Sequence, residues 1–514
     1  VSGLIPKSAP AEYNESVCKL TKDTSYIIAA SRGGPSALTD IPEPPSELTT
    51  SASAPREPAR MPSAALSRVT DARYGVRRQL TALAWPAVVE YLLQTALSVA
   101  TIIMVGRLGG VEIAAVGLGQ QVAMVAWVAY VGIATGATAL VAQYVGGRAF
   151  HRAELVAKQS LVAGLIFSVA IGAAGFVLAG DVMSVLGATP EVVAIGVNYL
   201  RILLSFSVFQ MAMFVAAGIL RGAGDMKTPM VVNGVANGVN IWLGYGLIFG
   251  EMGLPRLGVD GAAWATVAAQ GLGTLLLLSA LFLRPRYLRL SWRGDWLPTA
   301  ETTRLFLDIS GPSVVEQVFM RLGMLAYAVL VVSMGTEVYA TQQILFNVLS
   351  ISFMPGFALG VAATTMVGQN MGARQTQRAE RSGWAAAEMG VIWMSLMGVI
   401  FFVFARECMA VFTLDPHLID LGEPCLKIIA LVQPAQAIAF ALAGALRGAG
   451  DTRWPMYATT VTVWLLRLPL AYFFGITLAL NLTGVWIGHA LDFTIRGAML
   501  LWRYRSGDWK FLRI

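Results

Sequence analysis

From Leu80 to Leu501 the chain repeats one pattern: a long apolar run, then a short polar loop. A helix rising 1.5 Å per residue needs about 20 apolar residues to cross the ~30 Å hydrocarbon core of a bilayer. The spacing predicts twelve such spans, over residues 80–105, 113–144, 157–180, 196–219, 228–250, 259–283, 306–334, 338–368, 383–405, 425–446, 454–478 and 484–503. Lipid satisfies no backbone N–H or C=O, so regular helices are the economical solution. The alternation of a transmembrane barrel strand, over about ten residues, is missing from runs this long and uniform. Only 13% of residues are charged and 56% are hydrophobic, against roughly 25% charged in soluble domains. A pI near 9.4 does not point to nucleic acid, because the basic residues sit in short loops and not on one polar face.

Those loops set an orientation. Arg68, Arg73, Arg77 and Arg78 precede the first span; Arg148, Arg152 and Lys158 follow the second; Arg221 and Lys227 follow the fourth. Arg284, Arg286, Arg289 and Arg293 follow the sixth, Arg374, Arg378 and Arg381 the eighth, Arg447 and Arg453 the tenth, and Arg503, Arg505, Lys510 and Arg513 end the chain. Alternate loops hold little more than Arg107, Arg256 and Arg406. Under the positive-inside rule both termini are cytoplasmic and the protein is a multi-pass plasma-membrane protein, the inner membrane in a bacterium. Residues 1–75, rich in Pro, Ser, Ala and charge, read as a disordered extension, and translation starting at Met61, the first methionine, is an alternative beginning. The remaining division is an N-terminal lobe (76–285), a cytoplasmic linker (286–304) and a C-terminal lobe (305–514). Cys18, Cys408 and Cys425 have no metal-ligand spacing; a Cys408–Cys425 bridge on the outer side is conceivable.

The strongest internal signal is a repeat. LRGAGD at Leu220–Asp225 recurs at Leu446–Asp451, 226 residues later. The same shift pairs Pro86 with Pro312, Glu90 with Glu316, Gln143 with Gln369, Arg148 with Arg374, Gln210 with Gln436 and Pro229 with Pro455, without a gap. Six spans per half is an even number, so the halves insert in the same sense. The expected fold is all-α: two pseudo-symmetric six-helix bundles, parallel repeats about an axis along the membrane normal. Secondary transporters place a substrate site between such halves.

The sequence resembles the multidrug and toxic compound extrusion (MATE) family at VGRLGG after span one, GATALVAQYVGGR closing span two, and LRGAGDMKTPM and LRGAGDTRWPM closing spans four and ten. The resemblance runs from about Leu80 to Arg505. It implies two bundles facing each other in a V, a large central cleft, and efflux of drugs or organic cations driven by sodium ions or protons. The sequence also departs from the family's known coupling patterns. Thr101 stands where many relatives have an aspartate at the end of span one; Asn240 and Gly244 replace an Asn–Asp pair in span five. Gln436 stands for an aspartate in span ten, and Met320 or Arg321 for a glutamate in span seven. The coupling ion is therefore left open by the resemblance.

Ionisable groups inside a span need a reason, since they cost about 2.5–3.5 kcal/mol on insertion scales. Glu90 and Glu316 each lie four residues after a proline and are candidate ion-coupling groups, loading a proton from one side and releasing it on the other. A glutamic acid bonded to its neighbours in every state is the plainer reading. Arg321, in the same span as Glu316, is a candidate to neutralise it, which ranks Glu90 first. Asp492, with Arg496 one turn on and Arg467 in span eleven, is a further coupling or gating candidate present in one half only; a static ion pair is the alternative. Candidate polar groups of the cleft are Thr101, Gln210, Asn233, Asn237, Asn240, Gln342, Gln343, Asn347 and Gln436. The three asparagines share one helical face, where packing through interhelical hydrogen bonds competes with cleft lining. Arg221 and Arg447 read as interfacial anchors, and the Gly-x-Gly-Asp segments as helix stops, not phosphate loops, since no strand precedes them and no Lys-Ser/Thr follows.

The expected function is a secondary antiporter exporting small organic, cationic or amphipathic compounds against H+, or Na+, acting as a monomer without cofactor, ATP or nucleic acid. A flippase for lipid-linked or oligosaccharide cargo is the alternative; it calls for a strongly basic cavity. A membrane enzyme is not expected, because His151, His417 and His489 lie far apart.

Overall fold

The computed structural model describes residues 75–185, 189–283, 288–293, 296–297 and 299–512. Apart from Gly75, the expected N-terminal extension lies outside the described residues, as do Cys18, Arg284 and Arg286. All described residues fall within one compact unit.

The first lobe contains helices Val76–Gly106, Gly110–Gly146, Phe150–Val185, a bent pair Pro190–Ser205 and Ser207–Gly222, then Lys227–Phe249 and Val259–Leu283. The second contains Ala300–Val332, Thr336–Gly372, Thr376–Val403, Pro416–Ala449, Arg453–Thr477 in alternating α and π turns, and Asn481–Ser506. Counting the bent pair once, these are spans one to twelve. Among the described residues nine helices, and the bent pair as a tenth span, are long and apolar enough to cross a membrane. The fifth and twelfth spans fall outside that group. They carry the three asparagines and the His489, Asp492 and Arg496 set, respectively. Polar groups there lower the mean hydropathy but face protein: Asn240, His489, Asp492 and Arg496 are buried, while Val177, Leu275, Val329 and Leu431 on other spans are about 70% exposed. Apolar outside and polar inside is the arrangement lipid favours.

Helices overrun their apolar runs. The seventh begins at Ala300, where Thr299 caps it by accepting from Thr302 N–H, six residues before the apolar run opens at 306. The eleventh widens into π turns at Thr462–Arg467 and Phe473–Thr477. Pro469 between them lacks an N–H and crowds the carbonyl four residues back, in the first π turn. Cys408 and Cys425 are free thiols, so the conceivable bridge is not formed.

The repeat extends to packing. Thr138 in span two donates to the carbonyl of Gly218 in span four at 3.0 Å; Thr364 in span eight donates to Gly444 in span ten at 2.9 Å. Small residues at these crossings let backbones approach closely. The lobes meet chiefly through spans one, two, seven and eight, with spans four, nine and ten also in contact across the boundary. Near the end that carries the LRGAGD turns, a side chain at Gly146 would overlap the carbonyl of Gln369, and one at Gly372 would overlap that of Gln143. Gly146→Val is therefore expected to destabilise this closed seam by about 1–3 kcal/mol, as overpacking does, and to raise maleimide labelling of cysteines placed along it. An unchanged melting temperature and unchanged labelling would mean the seam is loose.

Candidate functional site

Glu90 and Glu316 point into protein, each toward an arginine that the sequence reading treated as an anchor. In the first lobe Arg221 Nη2 pairs with Glu90 Oε1, and Asn233 Nδ2 donates to the same oxygen at 2.7 Å. In the second, Arg447 Nη2 lies 2.6 Å from Glu316 Oε1, and Thr459 Oγ1 donates to it at 3.0 Å. All three positions of the first set map onto the second by the 226-residue shift. Arg321 is not the partner of Glu316: its Nη2 donates to Gln121 Oε1 at 2.5 Å, across the lobe boundary. Glu316 is 3% exposed and its Oε2 has no hydrogen-bond partner among the described residues.

The arginines sit beside the bonds that join the lobes. Thr365 Oγ1 donates to the carbonyl of Arg221 at 3.0 Å, and Gln369 Nε2 to that of Gly222 at 2.8 Å. Reciprocally, Gln143 Nε2 donates to the carbonyl of Gly448 at 2.9 Å. Each lobe thus holds the turn of the other one residue from its Glu–Arg pair. The sequence gives both arginines an anchoring role, yet it also holds the signal for pairing: Glu to Arg is the same distance in both halves. Of the two turn aspartates only Asp225 caps a helix among the described residues, while Asp451 accepts from Arg503 Nε at 2.8 Å. Asp225 Oδ1 accepts from Lys227 and Thr228 N–H at 3.1 and 3.0 Å, starting span five.

Asp492 lies in a second network confined to the C-terminal lobe. Its carboxylate takes Arg496 Nη2 at 2.6 and 2.8 Å and Arg467 Nε at 2.7 Å. Arg496 Nε donates to Thr462 Oγ1 at 3.0 Å, in the first π turn. His489 sits beside it among Trp486 and Phe493, ring centroids 5.0 and 5.1 Å away.

The other candidates scatter. Asn240 donates to Thr266 Oγ1 at 3.2 Å inside the first lobe, a packing bond, and Asn237 is half-buried between it and Asn233. Thr101 donates back to the carbonyl of Leu97. Gln342 and Gln436 are buried in the second lobe, each with an unpartnered Oε1. Gln343 and Asn347 are exposed, one bonded to Tyr339 Oη and the other to the carbonyl of Gln343; Gln210 is half-buried. No cluster of three or more His, Cys, Asp or Glu that would hold a metal occurs among the described residues.

A family model described as MatE matches twice, over residues 86–246 and 312–473, the windows opening at the two repeat prolines. The chain belongs to the MatE family. A probable multidrug resistance protein NorM of Thermotoga maritima is 33% identical over 85% of this chain and 93% of its own length. A multidrug resistance protein NorM of Burkholderia vietnamiensis is 29% identical over 82% and 92%. In fold, a MOP superfamily transporter from Pyrococcus furiosus superposes with a TM-score of 0.81 at 23% identity, covering 88% of this chain and all of that one. An outward-facing multidrug resistance MATE family transporter superposes at 0.80 and 23% identity, covering 87% and 99%. Members of the MatE family are ion-coupled membrane transporters, not enzymes, and need no cofactor.

Proposed function

We propose that this MatE transporter exports small organic compounds in exchange for protons, and that Glu90 and Glu316 are the groups whose protonation opens the seam between the lobes. One observation carries the reading: each buried carboxylate pairs with an arginine whose own turn is gripped by the opposite lobe. Protonating the carboxyl discharges that pair. The arginine then loses its counter-charge, and the turn it belongs to loses the geometry that Thr365, Gln369 and Gln143 grip. Each such neutral bond contributes about 1 kcal/mol, small enough for an ion gradient to overcome. Around both carboxylates the neighbours are donors: guanidinium, amide and hydroxyl. A sodium ion needs several oxygen acceptors and is repelled by a guanidinium, so this setting favours the proton.

The test is uptake into proteoliposomes under a pH gradient and, separately, a sodium gradient. Transport that follows only the pH gradient is the expected result; dependence on sodium alone would overturn the choice of ion.

The orientation is proposed with both termini and the gripped turns cytoplasmic, so that the closed seam faces the cell interior. Cys408, on the short helix Ala405–Ala410 between spans nine and ten, then faces outward. Burial, with the charge of Glu407, pushes its thiol up. The thiolate is the reactive form, so labelling will rise as pH rises. An impermeant maleimide should label intact cells at Cys408, faster at pH 8.5 than at 7, and should fail with Cys408→Ser. Labelling only after lysis would invert the topology.

A further inference from the structure

We infer that Arg321, between the lobes, is a recognition residue for an oxyanion on the cargo, so that carboxylate-bearing amphipathic compounds are within the substrate class. The inference rests on the export reading and deepens it.

Arg321 lies 21 residues into span seven and 11 from its end, midway along the apolar run 306–334. A cation at such a depth is functional by default. Among the described residues it bonds a neutral amide, Gln121 of span two, on the facing lobe. Its Nε is buried with no partner among the described residues. A guanidinium presents five donors in a planar fork that matches a carboxylate or phosphate. Gln121 neutralises none of its charge.

The surroundings add to the positive balance. One turn beyond Arg321, Met324 Sδ accepts from Arg467 Nη1 at 3.3 Å, which places a second guanidinium on the same side of the helix. Arg467 and Arg496 meet a single carboxylate there, Asp492. With Arg321, this leaves two guanidinium charges uncompensated in the C-terminal lobe, so an anionic group entering between the lobes gains from a field that a simple cation would meet as a barrier. The twofold counterpart of Arg321 is Thr95, so the feature belongs to one lobe. Met320, next to it on span seven, and Met124 on span two, one turn from Gln121, are 37% and 39% exposed. They form an adaptable apolar surface for the body of an amphipathic molecule.

The experiment uses one fluorescent aromatic scaffold as its free carboxylic acid and as its methyl ester, with ethidium as a permanent cation. Uptake into proteoliposomes and thermal stabilisation in detergent are measured for the native chain, Arg321→Lys and Arg321→Gln. The native protein is expected to prefer acid over ester at least ten-fold. Arg321→Gln should lose that preference while ester transport persists, and Arg321→Lys should retain part of it. Equal loss for acid and ester would make Arg321 a strut between lobes and overturn the inference. Ethidium transported but acid neither transported nor stabilising would also overturn it while leaving export intact. If no probe is transported, export fails, and acid-specific stabilisation decides the binding site alone. Repeating the stabilisation with phosphatidylglycerol against phosphatidylcholine separates sources: competition by the anionic lipid would assign Arg321 to a headgroup and not to cargo.

Discussion

Asp492→Asn is expected to destabilise the folded transporter by about 3–5 kcal/mol, the usual result of removing one partner from a buried ion pair. Asp492 is fully buried, and both its oxygens are taken by guanidiniums. Asparagine keeps the shape but leaves Arg467 and Arg496 facing each other uncompensated, with an amide N–H2 added to the donors. The effect should appear as a lower thermal midpoint in detergent and as less protein surviving extraction. The replacement of all three, Asp492→Leu with Arg467→Met and Arg496→Met, should recover much of the loss, since apolar groups of similar volume carry no desolvation penalty. An Asp492→Asn protein that melts with the parent would show that the network contributes little to holding spans eleven and twelve together.

Glu90→Gln and Glu316→Gln are expected to reduce gradient-driven efflux at least ten-fold while exchange of substrate at equal concentrations continues. The distinction separates coupling from folding: glutamine keeps a hydrogen-bond acceptor for Arg221 or Arg447, but has no proton to exchange. Arg221→Met in the Glu90→Gln background removes the stranded cation, so it should restore stability without restoring coupling. Uphill transport by the double carboxylate variant at the native rate would leave the proposed coupling without its groups.

The bundle architecture was legible because lipid imposes length and apolarity on every span, and because duplication writes the same landmarks twice. Boundaries were less legible where polar residues join a helix beyond its apolar run. The tenth helix begins at Pro416, under an Asp415 cap, and not at 425. Glu423 and Lys427 bridge one turn of it at 2.6 Å, which hides the helical turn from any hydropathy measure. The partner of Glu316 was misread for a geometrical reason. Five residues along a helix rotate the side chain by about 140°, so Arg321 leaves the face of Glu316 and meets span two instead. Arg221 and Arg447 were hidden by position: an arginine at a span end ordinarily serves as an anchor, and only the fold, which brings Glu90 of span one and Glu316 of span seven within reach, turns it inward.

The bonds Gln143 to Gly448 and Gln369 to Gly222 have the form of an isologous contact, in which residue i of one subunit meets j of the other and j meets i. Such reciprocity is natural for two copies of a six-helix protein meeting about a twofold axis before fusion into one gene. Descendants of that dimer are free to specialise wherever a residue answers only to its own half, as Arg467, Asp492 and Arg496 do. Along the joint they are not free: a change in either copy is felt by both, so the seam drifts in matched steps or stays as it is.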